Sequence, residues 1–272
     1  MIDRLAEFVA AHPNLFVLTG AGLSTASGIG DYRGEDGAWK RRPPVELRDF
    51  LNSERARRRY WSRSMVGWPP FAAARPNAGH RALAALQRGG RIAATVTQNV
   101  DGLHQAAGHT NVIELHGRLA DVRCLGCDAR FARATVQNWL EAANEGFAAE
   151  SGALLADGDA ELGDATVDGF EIPQCPTCGG VLKPDVVFFG ESVPRRVVEA
   201  ALAGLERASA VLIVGSSVMV YSSFRFCRAA HAHRKPIVSI NRGVTRADAL
   251  LDFKVEGDCA ATLDALALCF TR

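Results

Sequence analysis

The sequence predicts an α/β fold, in which a Rossmann-like parallel sheet carries helices on both faces and a smaller module is inserted into the chain. Two observations predict it. Short apolar runs of strand length alternate with segments of helical periodicity, as in βαβ units. The alternation is interrupted between residues 118 and 183, where two Cys-x-x-Cys pairs lie near the two ends of the interval.

The predicted elements follow one another from the N-terminus. Ile2, Leu5, Phe8 and Val9 recur at helical spacing and predict a first amphipathic helix. The strand-like runs are residues 15–18, 92–96, 112–115, 211–214 and 236–240. Helical patterns occupy residues 77–88, 196–208 and 222–234. Because ligands of open α/β sheets bind beyond the carboxyl ends of the strands, the residues after each run are the candidates for chemistry.

Composition and charge narrow the classes of function. The 272 residues are 48% hydrophobic, which excludes a disordered chain, a collagen and a coiled coil. The net charge of +1 argues against general binding to nucleic acid or to anionic membranes. No apolar run reaches the roughly 18 residues of a membrane span, and the N-terminus does not read as a targeting peptide. We therefore expect a soluble cytoplasmic protein.

The small net charge is an average over two segregated segments. Residues 40–63 hold nine basic and three acidic residues, whereas residues 141–171 hold nine acidic residues and no basic one. We expect the basic segment to face anionic substrates and the acidic segment to form a solvated insert.

The cysteine pairs predict a structural metal site. They are Cys124, Cys127, Cys175 and Cys178, with 47 residues between the pairs. Four thiolates complete the tetrahedral coordination of Zn²⁺ and leave no position for an activated water. Two thioredoxin-like redox pairs are the alternative, but each would then lie at its own strand–helix junction, and here both bracket one module. The odd total of seven cysteines suits no disulfide framework.

A glycine-rich segment, Gly20 to Gly28, follows the first predicted strand. Glycines there let the backbone approach a phosphate, whose charge the following amides can bind. The segment is not a P-loop, and Thr25 stands where the dehydrogenase fingerprint has its third glycine. A nucleotide is therefore favoured over ordinary hydride-transfer binding.

Polar side chains follow two further strands, in Gln98-Asn99-Val100-Asp101 and at His116. An amide, a carboxylate and an imidazole that converge on a cleft can orient and deprotonate a hydroxyl. Each residue also has a structural alternative, because Asn and Asp cap helices and a single His is commonly buried for packing.

Seven features of the sequence carry a family resemblance: GAGLSTASGIGDYRG (20–34), TQNVDGLH (97–104), ELHG (114–117), the four cysteines, KPDVVFFGE (183–191), GSS (215–217) and SINRG (239–243). Taken together, they resemble the sirtuin family of NAD-dependent protein-lysine deacylases. They run in order from about residue 15 to residue 259. Residues 59–61, residues 67–69 and the acidic stretch resemble the class II branch, which includes the fourth human sirtuin, a mitochondrial enzyme.

The resemblance implies two domains with a cleft between them. A discontinuous Rossmann-like NAD-binding domain would comprise residues 1–39, 77–117 and 184–272, and a small helical and zinc-ribbon domain residues 40–76 and 118–183. NAD would be a co-substrate that the reaction consumes. One Zn²⁺ would be bound and would have a structural role. The implied residues that bind NAD are Gly20, Ala21, Gly22, Thr25, Asp31, Tyr32, Arg33, Gln98, Asn99, Val100, Asp101, Gly215, Ser216, Ser217, Asn241, Arg242, Gly243 and Cys259.

The resemblance also implies the chemistry. The acyl-lysine carbonyl oxygen would attack C1′ of the nicotinamide ribose beside Asn99 and expel nicotinamide. His116 would then deprotonate a ribose hydroxyl that attacks the resulting imidate, giving free lysine and O-acyl-ADP-ribose. An imidazole with an ordinary pKa near 6.5 suits this step, because much of it is neutral at pH 7.

The protein substrate is expected to add as an extended strand. Residues 186–189, including Val187 and Phe188, form one predicted edge and residues 218–221 a second. The alternative is that residues 186–189 belong to the core.

Three details set the expected specificity. Tyr60 and Arg63 share a helix face and resemble the pair with which class III sirtuins bind acidic acyl groups; a solvated basic face is the alternative. Gly30 stands where the family usually has proline, which raises the entropy cost of ordering its loop. Val100 replaces the commoner isoleucine, a change that we expect to be tolerated.

Three functions remain open on these grounds. They are a protein-lysine deacylase, a mono-ADP-ribosyltransferase that uses the same activated ribose, and a zinc-ribbon binding module with a vestigial NAD fold. The third is the weakest, since all the expected cofactor and base positions are filled.

Overall fold

The computed structural model describes residues 1–40, 44–147, 157–160 and 168–270, and two β-sheets are formed within these ranges. The strands are β1 (Leu15–Thr19), β2 (Ile92–Thr97), β3 (Val112–Glu114), β4 (Gly117–Cys124), β5 (Arg130–Ala132), β6 (Leu182–Val186), β7 (Ala210–Val214), β8 (Ile237–Ile240) and β9 (Phe253–Val255). The helices are α1 (Ile2–Ala11), α2 (Leu47–Asn52), α3 (Glu54–Ala73), α4 (Ala78–Arg88), α5 (Leu103–Ala106), α6 (Arg133–Ala143), α7 (Arg195–Arg207), α8 (Tyr221–Ala232) and α9 (Cys259–Leu268).

The larger sheet is parallel and has the order β3-β2-β1-β7-β8-β9. The chain runs outward from β1 to β3 and then returns to the other side of β1 to continue with β7. Ligands of such sheets bind where the order reverses, beyond the carboxyl ends of the strands. The topology therefore places the site after β1 and β7, at Gly20 and Gly215.

Strand β1 shows why apolar runs predicted this sheet. Leu15 and Val17 face a core formed with α1, α4 and α9, whereas Phe16 and Leu18 face a core formed with α7 and α8. A parallel strand buried on both faces has no polar side and so reads as an uninterrupted apolar run. The predicted parallel sheet with helices on both faces is confirmed.

The smaller sheet is antiparallel, with the order β5-β4-β6. It packs with α2, α3 and α6 around a separate core that includes Phe50, Trp61, Val122 and Leu140. The predicted domain boundary between residues 183 and 184 falls inside β6, all of which belongs to this sheet. Parts of both charged segments lie outside the described residues. They are residues 148–156 and 161–167, which make up much of the predicted acidic insert, and residues 41–43 of the basic segment.

Among the described helices, none is both long enough and apolar enough to cross a membrane.

Three histidines are buried together next to the carboxyl end of β1. The rings of His80 and His104 are 5.1 Å apart, and those of His104 and His109 are 4.9 Å apart. His104 Nε2 lies 2.8 Å from the hydroxyl of Thr19. Burial lowers the pKa of His80 and of His109 to about 4, and that of His104 well below its usual value. The folded protein therefore holds these rings neutral.

This cluster predicts loss of stability in mild acid. Below pH 6.5 the unfolded chain binds protons that the folded chain excludes until about pH 4, so the free energy of unfolding falls as the pH falls through this window. We expect His80 and His109 together to contribute a loss of about 3 kcal/mol between pH 6.5 and pH 5, to which His104 adds. Chemical denaturation at several pH values measures it, and His109→Leu should flatten the dependence. A constant free energy of unfolding across this window would contradict the account.

Candidate functional site

A cleft of about 1180 Å³ opens at the carboxyl ends of β1, β2 and β7. Its walls come from both sheets and from the loop of residues 28–40. Every residue predicted to bind NAD, substrate or the reacting atoms lines this cleft except Gly243 and Arg63.

The two strand exits at Gly20 and Gly215 are packed against each other. A Cβ on Gly20 would lie 2.7 Å from the Cβ of Ser216, and one on Gly22 would lie 3.0 Å from the Cα of Gly215. Gly215 itself has a φ of +59°, and a Cβ there would lie 2.3 Å from the amide nitrogen of Leu23. These glycines are thus required for the contact between the loops, in addition to the predicted approach to a phosphate.

A hydrogen-bonded group of polar side chains covers the floor of the cleft. Asn99 Nδ2 donates to the carbonyl of Gly20 and to Ser24 Oγ, each at 3.1 Å. Ser24 Oγ donates to Asp101 Oδ2 at 2.7 Å. Burial raises the pKa of Asp101, although the hydrogen bonds from Leu103 N and Ser24 Oγ oppose the shift. Gln98 Nε2 donates to Ser216 Oγ at 2.8 Å, so the predicted Gln98–Asp101 segment is held to both strand exits.

His116 lines the cleft, and one of its ring nitrogens is a hydrogen-bond acceptor. Its Nδ1 lies 3.0 Å from the carbonyl oxygen of Gln98, which can only accept, so Nδ1 carries the hydrogen. Its Nε2 lies 2.9 Å from Ser222 Oγ and therefore accepts from that hydroxyl. Burial lowers the pKa of His116 to about 4, and the ring is neutral at pH 7. A neutral imidazole with its acceptor directed into a cleft can remove a proton from a bound hydroxyl.

Sequence reasoning missed Ser24 and Ser222. Ser24 lies within the predicted glycine-rich segment but was given no role there, and Ser222 lies at the start of a predicted helix, where serine reads as a cap. Their partners Asp101 and His116 are 77 and 106 residues away. No local pattern signals such contacts.

The loop of residues 28–40 folds as a small hairpin over the cleft. Arg33 and Trp39 pair across it, and the guanidinium of Arg33 lies 4.1 Å from the centre of the Trp39 ring. Lys40 and Asp31 form an ion pair. Gly243 lies outside the lining because it supports this hairpin. A Cβ on Gly243 would lie 2.1 Å from the carbonyl oxygen of Glu35, which instead accepts a hydrogen bond from Val244 N.

The predicted partnership of Tyr60 and Arg63 is not formed at the cleft wall. Tyr60 lines the cleft, but Arg63 does not. The charge of Arg63 acts on Asp157 and Asp159, whose pKa values burial raises and Arg63 opposes. These two aspartates line the cleft instead.

A backbone contact holds these aspartates against α3. Ala160 N donates to the carbonyl of Arg63 at 3.1 Å. Gly67 is required there, because a Cβ on it would lie 2.2 Å from the carbonyl oxygen of Gly158. Helical spacing identified the face of α3 correctly but not the acidic segment that covers it.

The predicted strand edges differ in detail from the observed backbone. Strand β6 ends at Val186, Val187 N donates to the carbonyl of His116 at 2.8 Å, and Phe188 is buried in the small core. The open alternative, that part of residues 186–189 is core, therefore holds for Phe188. The second edge is not a regular strand, because Val218 has a φ of +45° and Tyr221 begins α8.

The four predicted cysteines lie together at one end of the small sheet. Their Sγ atoms all lie within 4.8 Å of one another, with 3.4 Å between Cys124 and Cys178 and 3.8 Å between Cys127 and Cys175. Zinc–sulfur bonds of about 2.3 Å place tetrahedral sulfurs about 3.8 Å apart, so the donor set fits one Zn²⁺. All four are free thiols, and a Cβ on Gly180 would come within 2.9 Å of Cys124 Sγ.

The profile of the Sir2 family matches residues 20–222, three quarters of the chain. The chain belongs to the Sir2 family. Over 259 residues it is 56% identical to the NAD-dependent protein deacetylase of Xanthomonas axonopodis pv. citri, covering 95% of this chain and 88% of that protein. It is 55% identical to NAD-dependent protein deacetylase 2 of Bradyrhizobium diazoefficiens over 96% of each chain. A solved Sir2 structure with a p53 peptide and NAD⁺ is similar with a TM-score of 0.78 at 28% identity, covering 97% of this chain and 95% of that one.

In this Sir2 protein a buried ion pair holds the segment that connects the two sheets. Lys183 is 1% exposed, and its Nζ lies 2.9 Å from Glu191 Oε2. Phe188 of the same turn contacts both members: Lys183 Nζ is 4.5 Å from the centre of the Phe188 ring, and Glu191 Oε2 accepts from Phe188 N at 2.8 Å. Arg123 on β4 lies 3.7 Å from Glu191 Oε1. Burial lowers the pKa of Lys183, and Glu191 opposes the shift. The pair thus fixes the turn that leads from β6 into the cleft wall.

Breaking this pair is expected to be strongly destabilising. Lys183→Met removes the nearer cation from Glu191 and leaves Arg123, 3.7 Å from Oε1, as the remaining one; we expect a loss of about 3 kcal/mol in the free energy of unfolding and weaker peptide binding. The double variant with Glu191→Gln should recover about half of that loss. The exposed pair Arg195–Glu199 is the matched control, and Arg195→Met should cost less than about 1 kcal/mol. Equal losses in the two single variants would refute this role.

Proposed function

We propose that this Sir2 protein is an NAD-dependent protein-lysine deacetylase. It converts acyl-lysine, NAD and one water into free lysine, nicotinamide and O-acyl-ADP-ribose. The observation that carries the proposal is His116, a neutral imidazole whose acceptor nitrogen lies in a cleft beside Asn99 and Asp101. The names of its relatives, with more than half of the residues identical, support the same activity.

NAD is a substrate in this proposal. The cleft lies at the reversal point of the sheet, where such folds bind dinucleotides. The turn from Gly20 to Thr25 would receive the pyrophosphate, and the loop with Asp31, Tyr32 and Arg33 would close over the nicotinamide ribose. The adenosine would bind on the side of β1 where β7 and β8 lie. The residues that line the cleft there are Gly215, Ser216, Ser217, Asn241, Arg242 and Cys259. Gly243 is proposed to act through the hairpin that it supports.

The order of chemical events follows from the positions of the groups. The amide of Asn99 and the carboxyl of Asp101 line the floor, where they would orient the nicotinamide ribose for attack by the acyl oxygen. His116 would then accept a proton from a ribose hydroxyl. Because its pKa is about 4, His116 stays unprotonated and able to act as a base throughout the neutral range.

The acyl-lysine peptide is proposed to lie between residues 187–189 and 218–220. Both segments line the cleft, as does His116. A peptide that is held in an extended conformation by main-chain hydrogen bonds is bound with little preference for its sequence. The solved Sir2 complex with a p53 peptide supports this mode of binding.

One experiment separates the proposal from its alternatives. Acetylated peptide is incubated with NAD that is labelled in its adenylate part. We expect nicotinamide release to require the acetylated peptide, and the label to stay in a small molecule. Label attached to the peptide or to the enzyme would favour mono-ADP-ribosylation, and NAD binding without nicotinamide release would favour a binding module.

The acyl preference is expected to favour acetyl over acidic groups. The charge of Arg63 acts on the buried Asp157 and Asp159, so a glutaryl carboxylate would be desolvated there beside two acidic side chains. We expect acetyl-lysine turnover to exceed glutaryl-lysine turnover about tenfold, since each 1.4 kcal/mol is a factor of ten. The ratio should persist in Arg63→Met. Equal or faster turnover of glutaryl-lysine, lost in Arg63→Met, would restore the acidic-acyl hypothesis.

Four further assignments belong to the proposal. Residues 59–61 and 67–69 support a place in the class II branch, because Gly67 receives the acidic segment that is typical of it. The division into an NAD-binding and a small domain, with one structural Zn²⁺ in the latter, is supported by the two sheets and the cysteine cluster. A cytoplasmic location is supported by the seven free cysteines. The absence of general nucleic-acid binding is supported by the net charge of +1.

A further inference from the structure

The acceptor nitrogen of His116 is already occupied by a side chain of the protein. Because Nδ1 donates to Gln98, Nε2 is the one ring nitrogen that can take up a proton. A pyridine-type nitrogen has a single lone pair in the plane of the ring. That lone pair accepts the hydrogen of Ser222 Oγ at 2.9 Å. A substrate hydroxyl must therefore displace Ser222 or transfer its proton through it.

Ser222 is well placed for the second route. It lies in the first turn of α8 and lines the cleft together with His116. Its hydroxyl gives its hydrogen to Nε2 and keeps its own lone pairs to accept from a hydroxyl in the cleft. The neighbouring Ser223 contrasts with it, because its side chain is fully buried and donates to the carbonyl of Val220 at 3.1 Å. Only the first of these two serines joins the base to the cleft.

We propose that Ser222 relays a proton from the ribose hydroxyl of the substrate to His116, an inference that rests on the proposed deacetylase function. The O–H bond of the ribose breaks as an O–H bond forms on Ser222 Oγ. The original Ser222 O–H bond breaks as an N–H bond forms on Nε2. The ribose oxygen then uses its freed electron pair to attack the acyl carbon. Ser222 ends neutral, His116 ends as imidazolium, and nothing is oxidised or reduced.

The relay acts after nicotinamide has been expelled, so its loss affects only the later half of the reaction. In Ser222→Ala we expect nicotinamide–NAD exchange to persist within about threefold, while O-acetyl-ADP-ribose formation in a single turnover falls about 100-fold, the lower part of the range for acid–base groups. Ser222→Thr keeps a hydroxyl and should retain most of the rate. Ser223→Ala is the matched control and should leave both rates unchanged.

Solvent isotope effects distinguish relay from mere orientation of the ring. In mixtures of H₂O and D₂O the wild-type rate of acyl transfer should curve with deuterium content, because two protons move together. The dependence should become linear in Ser222→Ala. Acyl transfer in Ser222→Ala within twofold of wild type, or a linear dependence in an active wild type, would overturn the relay alone. A wild type that releases no nicotinamide from NAD and acetylated peptide would overturn the proposed function and the relay with it.

Discussion

Replacing His116 with alanine is expected to lower deacetylation at least about 100-fold, because the variant lacks the neutral imidazole that lines the cleft and accepts from Ser222. Nicotinamide–NAD exchange should continue, since Asn99 and Asp101 remain in place. Steady-state assay of deacetylated peptide measures the loss, and nicotinamide exchange measures the earlier step.

The control for this variant is an exposed histidine. His233 lies at the end of α8 on the surface, and His233→Ala should keep the wild-type rate. The thermal unfolding temperature of His116→Ala should change little, because His116 is partly exposed and lines the cleft, so the truncation leaves no closed cavity in a core. Near-normal turnover in His116→Ala would refute the role of this residue as the base.

Loss of the cysteine cluster is expected to abolish activity, because the small sheet that contains the cluster also positions His116. Structural zinc contributes on the order of 10 kcal/mol to folding in small zinc domains. Cys124 ends β4, and β4 begins at Gly117, directly after His116. Its partner strand β6 leads to Val187, whose amide donates to the carbonyl of His116. Cys124→Ser should therefore unfold the small sheet and displace the base.

Metal analysis and circular dichroism measure this outcome together. We expect one zinc per chain in the wild type, with both metal and activity lost in Cys124→Ser or after prolonged chelation. Cys269 is exposed and lies apart from the cluster, so Cys269→Ser should keep its zinc and its rate. A wild-type protein that contains no zinc, yet unfolds cooperatively and turns over, would contradict a structural zinc site.

The parallel sheet was predictable because its strands are buried on both faces. The small sheet was not, since β4 alternates buried and partly exposed residues and pairs with β6 through an irregular register. Helix α3 was foreseen only around Tyr60, because its arginines and two prolines dilute the apolar pattern. Local periodicity is too weak to predict a strand or helix when one of its faces is exposed to solvent and the element that it packs against is distant in the sequence.

The residues of the candidate site differ in the same way, since the local sequence predicts some of them and not others. His116, Asn99 and Asp101 could be found because each follows a strand whose carboxyl end must open on the cleft. The hydroxyls of Ser24 and Ser222 could not, because their roles depend on partners that only the folded chain brings near. Arg63 has the helical spacing that was predicted, but it lies outside the cleft lining, and its charge acts on aspartates of a different segment.

Transfer of an isotope from the acyl group tests the central claim most directly. A peptide with ¹⁸O in the carbonyl of its acetyl-lysine is incubated with the enzyme and NAD, and the products are identified by mass spectrometry. We predict nicotinamide, deacetylated peptide and O-acetyl-ADP-ribose in equal amounts, with the ¹⁸O bound to C1′ of the ribose. Free ¹⁸O-labelled acetate with NAD left intact, or ADP-ribose attached to the peptide, would contradict acyl transfer to NAD assisted by His116.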